Sequence, residues 1–79
     1  MTNEEEARLE TIFRVVFDLP DDRDLATVRR ITERKWDSLG HVSLISALES
    51  EFDMAIGSAD RDILQSYDSV RLFLSEKLG

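Results

Sequence analysis

The sequence predicts an all-α protein, a small four-helix bundle with three longer helices, one short third helix and a long first loop. Apolar residues recur at helical spacing in three separate stretches, within residues 9–17, 42–52 and 70–78. No stretch shows the alternation of apolar and polar residues that is typical of a strand. The 79 residues suffice for one small domain, which covers residues 1–79.

The first helix is predicted to begin after Thr2 or Asn3, because both residue types are preferred at helix N-termini. The acidic residues Glu4, Glu5 and Glu6 follow at once, where negative charge interacts favourably with the helix dipole. Five apolar residues then repeat along one helix face and are expected in the core. They are Leu9, Ile12, Phe13, Val16 and Phe17.

The segment from Leu19 to Lys35 is predicted to be a loop that is longer than the usual connection between helices. Pro20 disfavours helical dihedral angles at the residue before it, and the two aspartates after it favour a turn. A short helical turn is expected within the loop. The apolar residues expected to fix it to the core are Leu25, Val28 and Ile31.

The other helices follow from the same signals. The second is predicted to begin at Ser38 and to end near Asp53, and Gly57 suits the turn after it. Ser58 is expected to cap a short third helix that ends near Gln65. The inward residues of that helix are predicted to be Ile63 and Leu64. The last helix is expected to be capped by Asp68 or Ser69, with a core stripe of Val70, Phe73, Leu74 and Leu78.

Charge is unevenly distributed along the chain, whose formal net charge is −7. Residues 37–68 carry seven acids against the single base Arg61, whereas residues 23–35 carry five bases against two acids. The acidic half argues against binding of nucleic acid, which requires neutralisation of phosphates. It favours partner proteins with basic surfaces. The basic loop is interpreted either as a solvated surface or as a second contact for a partner or an anionic group.

The composition also bears on the compartment. The chain has no cysteine, so neither a disulfide nor a thiolate metal site is available. No apolar run approaches the roughly 18 residues of a membrane-spanning helix, and the acidic N-terminus does not resemble a signal peptide. We therefore expect a cytoplasmic protein with no membrane insertion.

The start of the second helix carries the most specific signal in the sequence. The triplet Asp37-Ser38-Leu39 is followed by an amphipathic run that ends in acidic residues and Phe52-Asp53. This pattern resembles the acyl carrier proteins, and the long first loop is similar to theirs as well. The resemblance implies a carrier of 4'-phosphopantetheine, covalently attached to the hydroxyl of Ser38, with Asp37 and Leu39 as its neighbours in the binding motif. It also implies acyl intermediates held as thioesters for lipid, polyketide or other specialised biosynthesis.

The same resemblance implies partners rather than catalysis by the chain itself. They would be a phosphopantetheinyl transferase and enzymes that load, transfer or condense acyl groups. The protein is expected to be monomeric and without a metal or a catalytic triad. The residues expected to dock these enzymes are Leu39, Val42, Glu49, Glu51, Asp53, Asp60 and Asp62.

The sequence departs from many fatty-acid carriers at two positions near the serine. Gly40 and Ser43 stand where those carriers have acidic residues, which favours a stand-alone carrier for a dedicated pathway. Gly40 is also expected to loosen the first turn by up to about 1 kcal/mol relative to alanine.

Several alternatives stay open from sequence alone. Asp37 or Ser38 could act merely as the N-cap of the helix. Trp36 either fixes the end of the loop to the bundle or contacts a partner from an exposed position. His41 is expected to be a surface histidine, close to the prosthetic group. The alternative function is that of an unmodified acidic helical adaptor, which acts only through protein–protein contacts.

Overall fold

Four α-helices and one 3-10 turn form the bundle in the computed structural model, which describes residues 1–79. The helices are α1 (Asn3–Val16), α2 (Ser38–Phe52), α3 (Ser58–Ile63) and α4 (Tyr67–Leu78), and the 3-10 turn spans Leu25–Thr27. There is no strand, only an isolated bridge between Arg29 and Ser66. This architecture confirms the predicted small all-α bundle. None of the helices combines the length and the apolar composition that crossing a membrane requires.

The first helix begins with a reciprocal pair of hydrogen bonds at Thr2. The hydroxyl of Thr2 accepts a hydrogen bond from the backbone N–H of Glu5, and the Glu5 carboxylate accepts one from the backbone N–H of Thr2. Of the two predicted caps, Thr2 is therefore the one used. The apolar stripe faces inward as predicted, with Leu9, Phe13 and Phe17 fully buried.

The long loop is fixed to the bundle by Leu25 and Val28, as predicted, and by Leu19. The prediction for Ile31 is wrong, since its side chain is 89% exposed. The physical reason lies in the backbone. The N–H of Arg30 donates to the carbonyl of Gln65, next to the start of α4, and residues 29–33 then form a hydrogen-bonded turn that carries Ile31 away from the core.

The structure corrects the predictions for the last two helices. In α3 the N-cap is Gly57 rather than Ser58, the helix ends at Ile63, and Ile63 is 64% exposed while Leu64 is buried. In α4 the N-cap is Ser66 rather than Asp68 or Ser69. The hydroxyl of Ser66 accepts from the N–H of Ser69, and the Ser69 hydroxyl accepts from the N–H of Ser66. Because Ser66 is the N-cap, α4 begins at Tyr67, and the side chain of Tyr67 is buried in the core.

An aromatic cluster links the long loop to two helices. The ring of Phe13 meets those of Phe17, Trp36 and Tyr67 edge-on, with ring centroids 5.0 to 5.6 Å apart. Phe17 also stacks on Trp36 at 4.9 Å. Because the sixteen buried residues include no charged side chain, apolar burial and these ring contacts supply the cohesion of the core.

We expect the substitution Phe13→Ala to destabilise the protein by about 3–5 kcal/mol, because it removes the central ring of this cluster. A chain of this length has a total stability of about 4–12 kcal/mol, so the loss should be evident in urea denaturation. Val15→Ala is the matched control, since Val15 lies on the same helix and is 74% exposed. It should change the stability by less than about 0.5 kcal/mol. Equal effects of the two substitutions would contradict the assignment of Phe13 to the core.

Tyr67 is the buried titratable side chain of the core. Burial, together with the negative charges of Glu10 and Glu6, raises the pKa of Tyr67 to about 12. In an unfolded chain a tyrosine ionises near pH 10, so roughly between pH 10 and 12 the unfolded state releases a proton that the folded state retains. The contribution of Tyr67 to stability is therefore fully present below about pH 10 and is lost as pH rises through that interval.

This pH dependence can be measured because the chain has a single tyrosine. Tyrosinate absorbance of the folded protein should rise near pH 12, and the stability of the wild type should fall relative to Tyr67→Phe between pH 10 and 12. A tyrosinate transition near pH 10 in the folded protein would show that the phenol is exposed.

Candidate functional site

Asp37 is the N-cap of α2, and Ser38 is its first helical residue. The carboxylate of Asp37 accepts a hydrogen bond of 2.8 Å from the backbone N–H of Gly40. Asp37 therefore caps the helix, and the exposed side chain of Ser38 takes no part in capping. The backbone N–H groups of Ser38 and Leu39 lie in the first turn, where no intrahelical acceptor is available, and they carry the positive end of the helix dipole.

Gly40 allows the loop to pass close to the first turn of α2. A Cβ atom on Gly40 would clash with the backbone carbonyl oxygen of Lys35, and it would lie 3.3 Å from both the Phe17 ring and the Asp37 carboxylate. The expectation from helix propensity, that glycine merely loosens this turn, is thus incomplete. Glycine is required here because the backbone just before Trp36 occupies the space of a side chain.

Trp36 lies directly before the cap and is buried, with 2% of its surface exposed. It packs on Phe13 and Phe17, and its indole Nε1–H donates a hydrogen bond of 2.9 Å to Nδ1 of His41. Of the two interpretations of Trp36, the one that fixes the loop to the bundle is confirmed, and the exposed position is wrong.

The expectation of a surface histidine at position 41 did not include the contacts that its side chain makes. Its ring is half-buried, with Nδ1 bonded to the Trp36 indole and Nε2 lying 3.0 Å from the backbone carbonyl oxygen of Arg61. Because Arg61 belongs to α3, this contact brings α3 next to the first turn of α2. The side chains of Trp36 and His41, which flank Ser38 in the chain, are therefore hydrogen-bonded to each other.

Apolar side chains are exposed on both helices near this point. Leu39 is 75% and Val42 is 59% exposed, and they lie three residues apart on the same side of α2. The exposed Ile63 at the end of α3 adds a third. Sequence periodicity missed Ile63, because a helix of six residues is too short to define a face.

The structure separates the seven predicted docking residues into groups. Asp60 and Asp62 flank Arg61 on α3 and are therefore close to the first turn of α2. Glu51 lies near the other end of α2, about 20 Å from Ser38 at 1.5 Å per residue, and its carboxylate is 3.6 Å from Arg8 of α1. Asp53 follows as the C-cap of α2 in the left-handed conformation, with φ of 49°.

Glu49 has a structural task within the chain. Its carboxylate accepts a hydrogen bond of 2.8 Å from the backbone N–H of Ile56 and lies 4.0 Å from the guanidinium of Arg61. These contacts shape the connection from α2 to α3. Its side chain is 29% exposed, so it presents less charge to a partner than the sequence suggested. No group of three or more histidine or acidic side chains has an arrangement that could hold a metal ion.

We expect Gly40→Ala to destabilise the protein, although alanine has the higher helix propensity. Propensity favours alanine by about 1 kcal/mol, but a clash with backbone costs about 1–3 kcal/mol, so a net loss is expected. Ser43→Ala, an exposed position on the same helix, is the control and should change stability by less than about 0.5 kcal/mol. Urea denaturation measures both, and a stabilised Gly40→Ala variant would show that the loop does not approach this turn.

Comparison with known proteins places no further constraint on the site. No protein-family model, no curated protein and no solved structure matches the chain. The functional interpretation therefore depends on the motif around Ser38 and on the geometry of the two helices that meet there.

Proposed function

We propose that the protein is an acyl carrier protein and that the hydroxyl of Ser38 is the attachment point of 4'-phosphopantetheine. The observation that carries the proposal is the exposed Ser38 in the first turn of α2, whose capping is already performed by Asp37. When bound, the group would supply the thiol that this cysteine-free chain lacks, and acyl groups would be held on it as thioesters.

The local environment suits a phosphodiester on Ser38. The free N–H groups of the first turn can donate hydrogen bonds to phosphate oxygens, and the helix dipole favours a negative charge at this end. The carboxylate of Asp37 is held on the N–H of Gly40 by its hydrogen bond. The backbone amides of Ser38 and Leu39 therefore stay available as donors for an anionic group on Ser38.

The exposed side chains around Ser38 support a role in docking partner enzymes. Leu39, Val42 and Ile63 offer exposed apolar side chains, and Asp60 and Asp62, which flank Arg61 on α3, add negative charge. A phosphopantetheinyl transferase and the enzymes that load, transfer or condense acyl groups would bind here through apolar pockets with a basic rim. Glu51 and Asp53 would contact only partners large enough to reach along α2.

The chain itself would catalyse nothing in this function. It would raise the effective concentration of a tethered intermediate at each partner enzyme. In the attachment reaction, the Ser38 oxygen forms a bond to phosphorus and displaces the adenosine bisphosphate of coenzyme A. The hydroxyl proton passes to a base of the transferase.

We expect the purified protein to gain one phosphopantetheinyl group when it is incubated with coenzyme A and a broad-specificity transferase. Intact-mass spectrometry measures the gain. Ser38→Ala should gain nothing, whereas Ser43→Ala, which removes another exposed serine of the same helix, should be modified like the wild type.

The same experiment tests the alternative function. An unmodified adaptor would show no mass gain in any of the three proteins, and its partners would bind Ser38→Ala as well as the wild type. A mass gain that persists in Ser38→Ala would place the attachment point elsewhere and would contradict the proposal.

A further inference from the structure

The hydrogen bonds of His41 identify the protonation state of its ring. An indole N–H can only donate, so Nδ1 of His41, 2.9 Å from Nε1 of Trp36, must accept and carries no proton. A backbone carbonyl oxygen can only accept, so Nε2, 3.0 Å from the oxygen of Arg61, must carry the proton. A single form of the ring satisfies both contacts, the neutral imidazole protonated on Nε2.

We infer that neutral His41, protonated on Nε2, is a positioning residue that joins the end of the long loop, the first turn of α2 and the end of α3. We call its two hydrogen bonds, to Trp36 and to Arg61, the His41 bridge. Protonation of His41 breaks the bridge on the Trp36 side. The imidazolium ring carries an N–H on both nitrogens, so two donors would then face each other at Nε1 of Trp36 and Nδ1 of His41.

The arrangement of the two rings offers no favourable interaction to a positively charged His41. Their planes are within 23° of parallel and their centroids are 6.2 Å apart, while the two bonded nitrogens are 2.9 Å apart. The rings therefore meet edge to edge rather than face to face. A cation at this place would face the positive edge of the indole and not its negative face. Trp36 is 2% exposed, so the indole N–H that would lose its acceptor belongs to a buried residue.

The charged side chains on the surrounding elements bond elsewhere or make no ion pair with the ring. On the loop, Lys35 pairs with Asp18, and at the N-cap the carboxylate of Asp37 accepts from Gly40. On α3, the guanidinium of Arg61 donates to the carbonyl of Ile56. The remaining acidic neighbours on α3 are Asp60 and Asp62. The polar contacts of the His41 ring are thus the two bonds of the bridge.

Trp36 and His41, which share one hydrogen bond of the bridge, flank the candidate attachment point Ser38 in the chain. Protonation of His41 removes the hydrogen bond between the Trp36 indole and the first turn of α2, while Nε2–H of His41 still donates to the carbonyl oxygen of Arg61 on α3. Any effect that loss of this hydrogen bond has on modification of Ser38 rests on the proposed function. The tautomer of His41 and its response to protonation do not.

Nuclear magnetic resonance of the ¹⁵N-labelled protein tests the inference directly, because the chain has one tryptophan and one histidine. At about pH 8 the ring nitrogens of His41 should show an unprotonated Nδ1 and a protonated Nε2. When the pH is lowered until the His41 ring takes up a proton, the indole N–H resonance of Trp36 should shift in step with the change at the His41 ring nitrogens.

Two variants divide the bridge into its halves. In His41→Asn, the amide oxygen can take the place of Nδ1. The indole N–H of Trp36 should then keep the chemical shift of a hydrogen-bonded group, and this shift should no longer depend on pH. In His41→Gln, the amide N–H can take the place of Nε2 and preserve the contact with Arg61. The shift of the indole resonance with pH should be lost there as well, because no titrating ring remains.

Two results on the wild type would overturn the inference, whether or not the variants fold. One is a His41 ring protonated on Nδ1 at about pH 8. The other is an indole resonance that stays in place while His41 becomes protonated. Neither readout involves modification of Ser38, so the outcome is distinguishable from a failure of the carrier proposal.

Discussion

The packing of Trp36 against Phe13 and Phe17 is the contact on which the rest of the structure depends. The long loop has little regular structure, and its last residues must return to the bundle at the place where α2 begins. Burial of a large indole at this place fixes the register of the following cap, because Asp37 and Ser38 come directly after it. The candidate site is thus built on the core and does not depend on the loop alone.

Backbone N–H groups at the starts of α1, α2, α4 and the 3-10 turn donate hydrogen bonds to side chains that are close in the sequence. Thr2, Asp24, Asp37 and Ser66 each accept a backbone hydrogen bond at the start of a helix or turn. Such contacts lie within three residues along the chain, and capping preference anticipated those of Thr2 and Asp37, whereas the cap of α4 was expected at Asp68 or Ser69. Together with burial of a core that holds no charged side chain, these hydrogen bonds define the helices of a small chain without disulfides.

The sequence predicted most features that depend on local spacing, although not the caps of α3 and α4, and it missed the contacts between segments that are distant in the chain. The stripe of α1 and the start of α2 follow from periodicity and capping preference. The exposure of Ile31 and Ile63 could not be predicted, because an isolated apolar residue in a loop or short helix has no repeat to define its direction. The need for Gly40 arises from the carbonyl of Lys35 across the turn, which helix propensity does not include. The contacts of His41 likewise require α3 to be in place.

The third helix has an unusual attachment to the bundle. It has no buried residue and no side-chain cap, and its flanking residues Ile56 and Leu64 are the ones that enter the core. Apart from Arg61, whose guanidinium donates to the carbonyl of Ile56, the side chains of α3 can therefore change with little effect on folding, provided that both anchors remain. Under the proposed function, the segment that would meet partner enzymes is thus one whose sequence can change with little loss of stability.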